Sequence, residues 1–156
     1  MKRPVAIVHG IAGVTAFAII STFMLASVVT EISGDHQAVA AAKSAIRWGL
    51  LALVPALAAA GGSGYRLVGG SAKGLAGVKL ARMRIVAANG AAILVPCVLF
   101  LAWKADRGEF DMWFAAVQAV EYLAGATNLA LMGLNMRDGF RLSGRFRRRP
   151  VLPASR

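Results

Sequence analysis

Residues 5–29 read VAIVHGIAGVTAFAIISTFMLASVV and contain no Asp, Glu, Lys or Arg. At a rise of about 1.5 Å per residue, a helix over this stretch is roughly 37 Å long, which exceeds the hydrocarbon thickness of a bilayer, about 30 Å. A secretory signal peptide has a shorter apolar region, of about 7 to 15 residues. The stretch therefore predicts a transmembrane helix.

Three more apolar stretches follow, at residues 46–62, 85–103 and 113–136. Of the 156 residues, 58% are hydrophobic and 16% are charged, whereas a soluble domain has about 25% charged residues. The chain is therefore too apolar for an ordinary soluble domain or a disordered protein. It predicts an all-α fold, in which residues 1–156 form a single transmembrane domain built as an antiparallel four-helix bundle.

The connection after the second stretch is rich in glycine. The motif GGSG at residues 61–64 and the pair Gly69 and Gly70 lack the GKS or GKT ending of a phosphate-binding loop. They predict a flexible hinge instead. Because the second stretch is short for a span, we also expect Lys43 and Arg47 to extend to the lipid headgroups.

The distribution of basic residues predicts the orientation. Fourteen of the 18 Lys and Arg lie before the first stretch, between the second and third, or in the tail at residues 137–156. By the positive-inside rule both termini are cytoplasmic, in a bacterial-type inner membrane. Trp48, Trp103 and Trp113 lie at the opposite helix ends, where aromatic rings favour the membrane interface.

The net charge of +11 follows from these membrane-flanking segments. In the tail, arginines alternate with Phe140, Leu142 and Phe146, a pattern typical of a segment that binds anionic lipid headgroups. We therefore expect no nucleic acid partner. The protein partner we expect is another membrane protein or a second copy of the chain.

One face of the fourth stretch is polar or small along its whole length. At about 100° per residue, its members fall within one arc of roughly 100°. They are Gln118, Glu121, Gly125, Asn128, Met132 and Asn135. Because lipid offers no hydrogen bonds, we expect this face to point into the bundle.

Glu121 is the acid on this face, about 12 Å into the membrane from Trp113 at helical rise. We expect a protonated acid that links helices by hydrogen bonds to Thr22, to Gln118 or to the Ala92 carbonyl, which Pro96 leaves without a donor. The alternative is that Glu121 binds a proton or a cation.

His9 is the only histidine in a predicted span. We expect it to hydrogen bond to Asn89 or Asn135 within the bundle. The alternative is a haem b with His9 and Met132 as axial ligands. The chain has no HExxH or GxSxG motif, and its one cysteine, Cys97, lies within a span. The sequence thus predicts neither a catalytic constellation nor a metal site.

The function that the sequence favours is a non-catalytic accessory or interaction subunit of the inner membrane, with polar helix faces that hold the bundle or a partner together. One alternative is a haem- or quinone-binding redox subunit that uses His9. Another is a small proton- or cation-coupled transporter that uses Glu121.

The orientation can be tested by labelling with a membrane-impermeant thiol reagent from the periplasmic side. Cysteines introduced near Gln37 and Glu109 should react, because these segments carry few basic residues. A cysteine near Ser71 should stay unlabelled in intact cells. Labelling near Ser71 would contradict the four-span topology.

Overall fold

The computed structural model describes residues 2–69 and 74–142, and all regular elements in these ranges are helical. The elements are α1 (Lys2–Ser33), α2 (His36–Val68), α3 (Gly74–Asn89), a π-helical segment (Gly90–Leu94), α4 (Val95–Ala105) and α5 (Met112–Leu142). Because α3, the π segment and α4 are continuous, we refer to them together as the third rod. The described chain thus forms four helical rods, which confirms the predicted all-α fold.

Short turns reverse the chain between rods. Gly34, between α1 and α2, has a φ of 68°, and Gly108, after α4, has a φ of 69°. Glycine adopts this left-handed conformation without steric cost. Asp35 then caps α2 by accepting the N–H of Gln37 at 2.8 Å, and Asp111 caps α5 by accepting the N–H of Phe114 at 3.0 Å.

The π segment ends at Leu94, two residues before Pro96. Proline has no N–H, and its ring collides with the carbonyl four residues earlier in a regular α-helix. The wider π turn relieves this collision, and the N–H of Val95 bonds to the Gly90 carbonyl. The third rod therefore continues through the proline without ending.

The rods pack in a ring that follows the chain order. α1 packs against α2 and α5, and the third rod also packs against α2 and α5. Among the described residues, no Cα atoms come within 8 Å between α1 and the third rod, or between α2 and α5. These two pairs are the diagonals of an antiparallel four-helix bundle.

Two apolar clusters fill the bundle. The larger one draws on all four rods: Ala16, Ile20, Leu53, Val86 and Met132. The smaller one lies beside the α4–α5 turn: Val39, Leu101, Ala105 and Phe114. We call the end with the α1–α2 and α4–α5 turns the acidic end, and the opposite end the basic end. Polar side chains occupy the interior between the two clusters.

The outer surface of the bundle is strongly apolar. Exposed large hydrophobic side chains occur on every rod, including Ile32 at 81%, Leu51 at 71% and Leu123 at 72% exposed. Within the described residues, α1, α2 and the third rod are each long and apolar enough to cross a membrane. α5 falls outside this set although its 31 residues would reach about 46 Å. Its polar face lowers its mean hydropathy.

Two expectations about α2 are wrong. The GGSG motif is not a hinge, because α2 remains helical to Val68 and ends at Gly69, whose φ is 60°. Contacts with α1 explain the continuation: the Gly64 backbone lies against the His9 ring. Lys43 does not extend outward but is buried, with 1% of its surface exposed. Gly70 and the tail from residue 143 onward lie outside the described residues.

Two glycines of α2 provide a test of the α1–α2 packing. A Cβ on Gly49 would overlap the ring of Phe23, whereas a Cβ on Gly62 would meet nothing within 4 Å. Gly49→Ala should therefore destabilise the fold by about 1–3 kcal/mol through overpacking. Gly62→Ala should be neutral or stabilising by up to about 1 kcal/mol, because alanine favours helix. Unfolding in mixed detergent micelles measures both, and equal effects would contradict the packing described.

Candidate functional site

A buried ion pair lies at the level between the two apolar clusters. The Lys43 ammonium of α2 donates to Glu121 Oε2 of α5 at 2.7 Å. The two side chains are 1% and 11% exposed. Because the backbones of α2 and α5 stay apart, the two long side chains meet across a diagonal of the bundle. Isolated charges would be costly here, so each side chain depends on the other.

Two further side chains complete this cluster. Lys43 also donates to Ser27 Oγ of α1 at 2.9 Å, and Gln118 Nε2 donates to Glu121 Oε2 at 2.7 Å. Cys97 of α4 is buried and lies within electrostatic range of both charges. We call Ser27, Lys43, Gln118 and Glu121 the central cluster.

The partners of Glu121 differ in part from those expected. Gln118 is a partner, as the spacing of one helical turn suggested. Thr22 is not, because it is exposed and its hydroxyl donates to the Ala18 carbonyl of its own helix at 2.9 Å. The Glu121 carboxylate is instead bonded to Lys43 and Gln118, and the structure gives no contact of Glu121 with the Ala92 carbonyl.

The sequence carries a signal for Lys43 that the predicted span boundaries conceal. Buried residues of α2 recur at steps of three, four or seven positions, at Val39, Lys43 and Ile46 and then at Leu53 and Ala60. This spacing marks one helix face. Lys43 therefore lies on the interior face of α2. The predicted span begins at residue 46, which places Lys43 outside the helix and hides this periodicity.

A cavity of about 60 Å³ adjoins the central cluster. Ser27, Glu121 and Tyr122 contribute to its lining, but nearly all of its surface is apolar and comes from Ile20, Leu50, Leu53 and other apolar side chains. A water molecule needs roughly 10–15 Å³ by this measure, so the cavity is large enough for water, but its apolar lining offers water few hydrogen-bond partners. The volume is far below the roughly 150 Å³ of an engineered cavity that binds benzene.

Asn128 and Asn89 form a second polar layer, toward the basic end. Asn89 Nδ2 donates to Asn128 Oδ1 at 2.8 Å and to the Ala124 carbonyl at 2.9 Å. Asn128 Nδ2 donates to the Val86 carbonyl at 3.3 Å, one turn before the π segment. The amides thus tie α5 to α3.

A third polar layer links the same helices at the basic end. Asn135 Nδ2 donates to the Lys79 carbonyl at 3.2 Å. Arg82 donates to Asp138 Oδ2 at 2.7 Å, and Asp138 is 1% exposed. Sequence reasoning identifies Asn135 but misses the Arg82–Asp138 pair, because both residues lie outside the predicted spans.

His9 lies between α1 and α2, apart from the asparagines. Its Nδ1 is 2.9 Å from the Ala60 carbonyl and 3.3 Å from Ser63 Oγ. The expected bond to Asn89 or Asn135 is wrong, because both amides bind α3 and α5 groups. Met132 packs in the larger apolar cluster with Ala16 and Ile20. The His9 ring fits closely against Gly64, which leaves no flat slot for a haem on that side.

The acidic end has its own charged network. Lys104 donates to Asp111 at 2.7 Å and to Glu109 at 3.1 Å, and Arg47 donates to Asp106 at 2.7 Å. The hydrogen bond from Lys104, together with the N–H of Phe114, holds the pKa of the Asp111 carboxyl below its usual range. These contacts fix the turn between α4 and α5. No group of three or more His, Cys, Asp and Glu suited to a metal occurs in the described part of the chain.

Comparisons of the chain with protein-family models, with curated proteins and with solved structures gave no significant match. The central cluster is therefore assigned a role from its geometry and chemistry.

A double-mutant cycle tests the Lys43–Glu121 pair. Lys43→Met and Glu121→Met should each cost about 3–5 kcal/mol, because each leaves one buried charge without its partner. The double variant should be more stable than either single variant, since two apolar side chains can replace a buried pair. Unfolding in mixed micelles, followed by circular dichroism, gives the free energies.

The control is Arg47→Met, one turn further along α2. Arg47 pairs with Asp106 at a partly exposed position, where such a pair is worth about 0–1 kcal/mol. A cost for Lys43→Met no larger than that of Arg47→Met would show that the buried pair does not hold the bundle together.

Proposed function

We propose that the chain is a non-catalytic integral membrane protein of the bacterial-type inner membrane, an accessory or interaction subunit with both termini in the cytoplasm. The observation that carries the proposal is that charged and polar side chains are buried while large apolar side chains are exposed, the reverse of the arrangement in a soluble protein. Buried positions hold Lys43, Glu121 and Asn128, whereas Leu51 and Leu123 are exposed on the outer surface. Lipid tolerates such a surface, and the polar groups inside gain partners that lipid cannot supply.

The three polar layers support a structural role for most of the buried polar groups. Lys43, Asn128 and Asp138 each bond to a side chain or carbonyl of another rod. Interhelical hydrogen bonds in membranes contribute about 1 kcal/mol each, so several layers together can stabilise one arrangement of helices. Because these polar groups are bonded to one another inside the bundle, the apolar outer surface is free to contact a membrane partner or a second copy.

Trp48, Trp103 and Trp113 support the proposed depth in the bilayer. All three are exposed, at 65%, 46% and 69%, and all lie toward the acidic end. Arg107 lies over the Trp103 ring at 4.0 Å and Arg47 near the Trp48 ring at 5.8 Å. Such aromatic and basic side chains suit the level of the headgroups. By the positive-inside rule, the basic end, where α5 ends, faces the cytoplasm. There the arginine-rich sequence that follows α5 would bind anionic lipid headgroups.

The second candidate function is proton or cation coupling at Glu121. It is favoured by the position of Glu121, which borders a cavity at the centre of the bundle. Lys43 already neutralises the carboxylate, however, so a metal cation would meet little net negative charge there. Structural pairing therefore accounts better for Glu121 itself.

Purification in a mild detergent distinguishes these functions. We expect native mass spectrometry to show the chain bound at fixed stoichiometry to another membrane protein or to a second copy, and a visible spectrum without a haem band. A Soret band would overturn the proposal in favour of a redox subunit. In proteoliposomes, pH-dependent flux that Glu121→Gln abolishes and Asp106→Asn spares would overturn it in favour of a transporter.

A further inference from the structure

Acidic residues are scarce at the basic end of the bundle. The chain has seven Asp and Glu, and none of them occurs at residues 1–30 or 36–105. Asp138, near the end of α5, is the only acid that follows Glu121, and it is 1% exposed. The basic side chains at this end therefore share a single internal counter-charge.

Two guanidinium groups already occupy the Asp138 carboxylate. Arg82 of α3 donates to Oδ2 at 2.7 Å, and Arg137 Nε donates to Oδ1 at 3.4 Å. The Arg82 and Arg137 side chains are 21% and 56% exposed, so both can also reach groups outside the bundle. Each carboxylate oxygen thus has an arginine, and the two arginines together exceed the charge of Asp138.

The Lys79 ammonium adds a third positive charge beside this group. A Cβ on Gly139 would lie 3.1 Å from Lys79 Nζ, so the ammonium rests against α5 at the residue that follows Asp138. Within the described part of the chain, the ion pairs of Asp138 are those with the two arginines, and Lys79 forms none. We call Lys79, Arg82, Arg137 and Asp138 the basic cluster, which carries two positive charges in excess.

The excess charge is suited to lipid phosphate groups. A partly buried cluster of one sign attracts ions of the opposite sign strongly, because solvent screens it less than an exposed cluster. Arginine binds phosphate oxygens through several N–H groups, and lysine binds them as a point charge. In membrane proteins, basic pockets between helices on the cytoplasmic side bind lipid headgroups that carry more than one negative charge.

The surface of α3 beside the basic cluster is suited to acyl chains. Val78 and Ile85 are 46% and 53% exposed. At about 100° per residue, both lie within roughly 60° of Arg82 around the helix. Ile85 lies about one turn further from the basic end than Arg82, which is the direction in which the acyl chains of a bound lipid extend.

We propose that the basic cluster binds the headgroup of cardiolipin, a phospholipid with two phosphodiester groups. The two negative charges of the lipid match the two positive charges in excess, and its acyl chains pack along α3 beside Ile85. The inference rests on the proposed location of the chain in a membrane. It adds a lipid partner at a defined position between α3 and α5, distinct from the arginine-rich tail.

Lipid retention by the purified full chain tests the site. The chain in neutral detergent micelles is mixed with phosphatidylcholine, phosphatidylglycerol and cardiolipin, the two acidic lipids at equal total charge, and retained lipids are counted by native mass spectrometry. The wild type should prefer cardiolipin. The double variant Lys79→Gln/Arg137→Gln removes both excess charges and keeps the Arg82–Asp138 pair. Its affinity for cardiolipin should fall about 30-fold, the effect of two basic side chains at a membrane surface.

The matched control is Arg66→Gln/Arg84→Gln, which removes the same charge from exposed positions of α2 and α3 outside the basic cluster. It should keep the preference for cardiolipin. An equal loss of affinity in both double variants, or a wild type without the preference, would overturn the inference. Lys79→Gln alone removes no side-chain hydrogen bond among the described residues, so it should fold normally and lose affinity about fivefold. Unchanged affinity in this single variant would also count against the site.

Two further measurements separate the possible causes of a negative result. Inorganic phosphate at the concentration of the lipid should leave cardiolipin bound, and displacement would identify a site for free phosphate instead. Insertion of the wild type into phosphatidylcholine nanodiscs is followed separately. Failure to insert would overturn the proposed membrane location, whereas insertion without a preference for cardiolipin would overturn the lipid site alone.

Discussion

The ion pair of Lys43 and Glu121 constrains the whole bundle because it joins two rods whose backbones do not touch. A salt bridge of 2.7 Å across the diagonal requires both side chains to extend toward the centre at the same level. Ser27 fixes α1 to that level through Lys43, and Gln118 keeps the carboxylate oriented. The relative height of α1, α2 and α5 is thereby set by a few polar contacts.

Apolar packing alone would specify this arrangement poorly. If the bundle stands in lipid, exchanging lipid contacts for side-chain contacts yields little hydrophobic gain, so van der Waals fit and hydrogen bonds decide the register. The three polar layers occur at different heights along α5, at Glu121, Asn128 and Asn135. Sliding α5 by one turn would separate all of them from their partners. The polar face of α5 thus fixes the position of α5 along the bundle axis relative to the other rods.

Sequence periodicity predicts the helical fold and the interior face of α5, because a polar stripe at helical spacing is visible whatever the neighbours are. It does not predict what the stripe meets. Lysine at a helix end usually extends to water, and only the register of Val39 and Ile46 indicates that Lys43 does otherwise. His9 is expected near Asn89 and Asn135 because they lie at a similar depth. Depth along a helix, however, does not determine which neighbouring helix a side chain faces. The GGSG motif predicts a hinge because glycine has a low helix propensity. Propensity alone does not include the packing of α1 against Gly64, which accompanies a continuous helix there.

The π segment has a consequence for the phase of the third rod. Its interior positions at Val86, Gly90, Leu94 and Val98 are spaced by four residues, whereas a regular helix turns every 3.6 residues. A uniform α-helix would rotate these positions progressively away from the bundle axis, by about 40° at each step. The π turn contains one more residue than an α-helical turn, and this extra residue offsets the accumulated rotation. The interior positions before and after the π segment therefore face the same side of the third rod. Loss of one residue between Gly90 and Leu94 would turn one half by about 100° relative to the other, and Asn89 and Cys97 could no longer face the interior together.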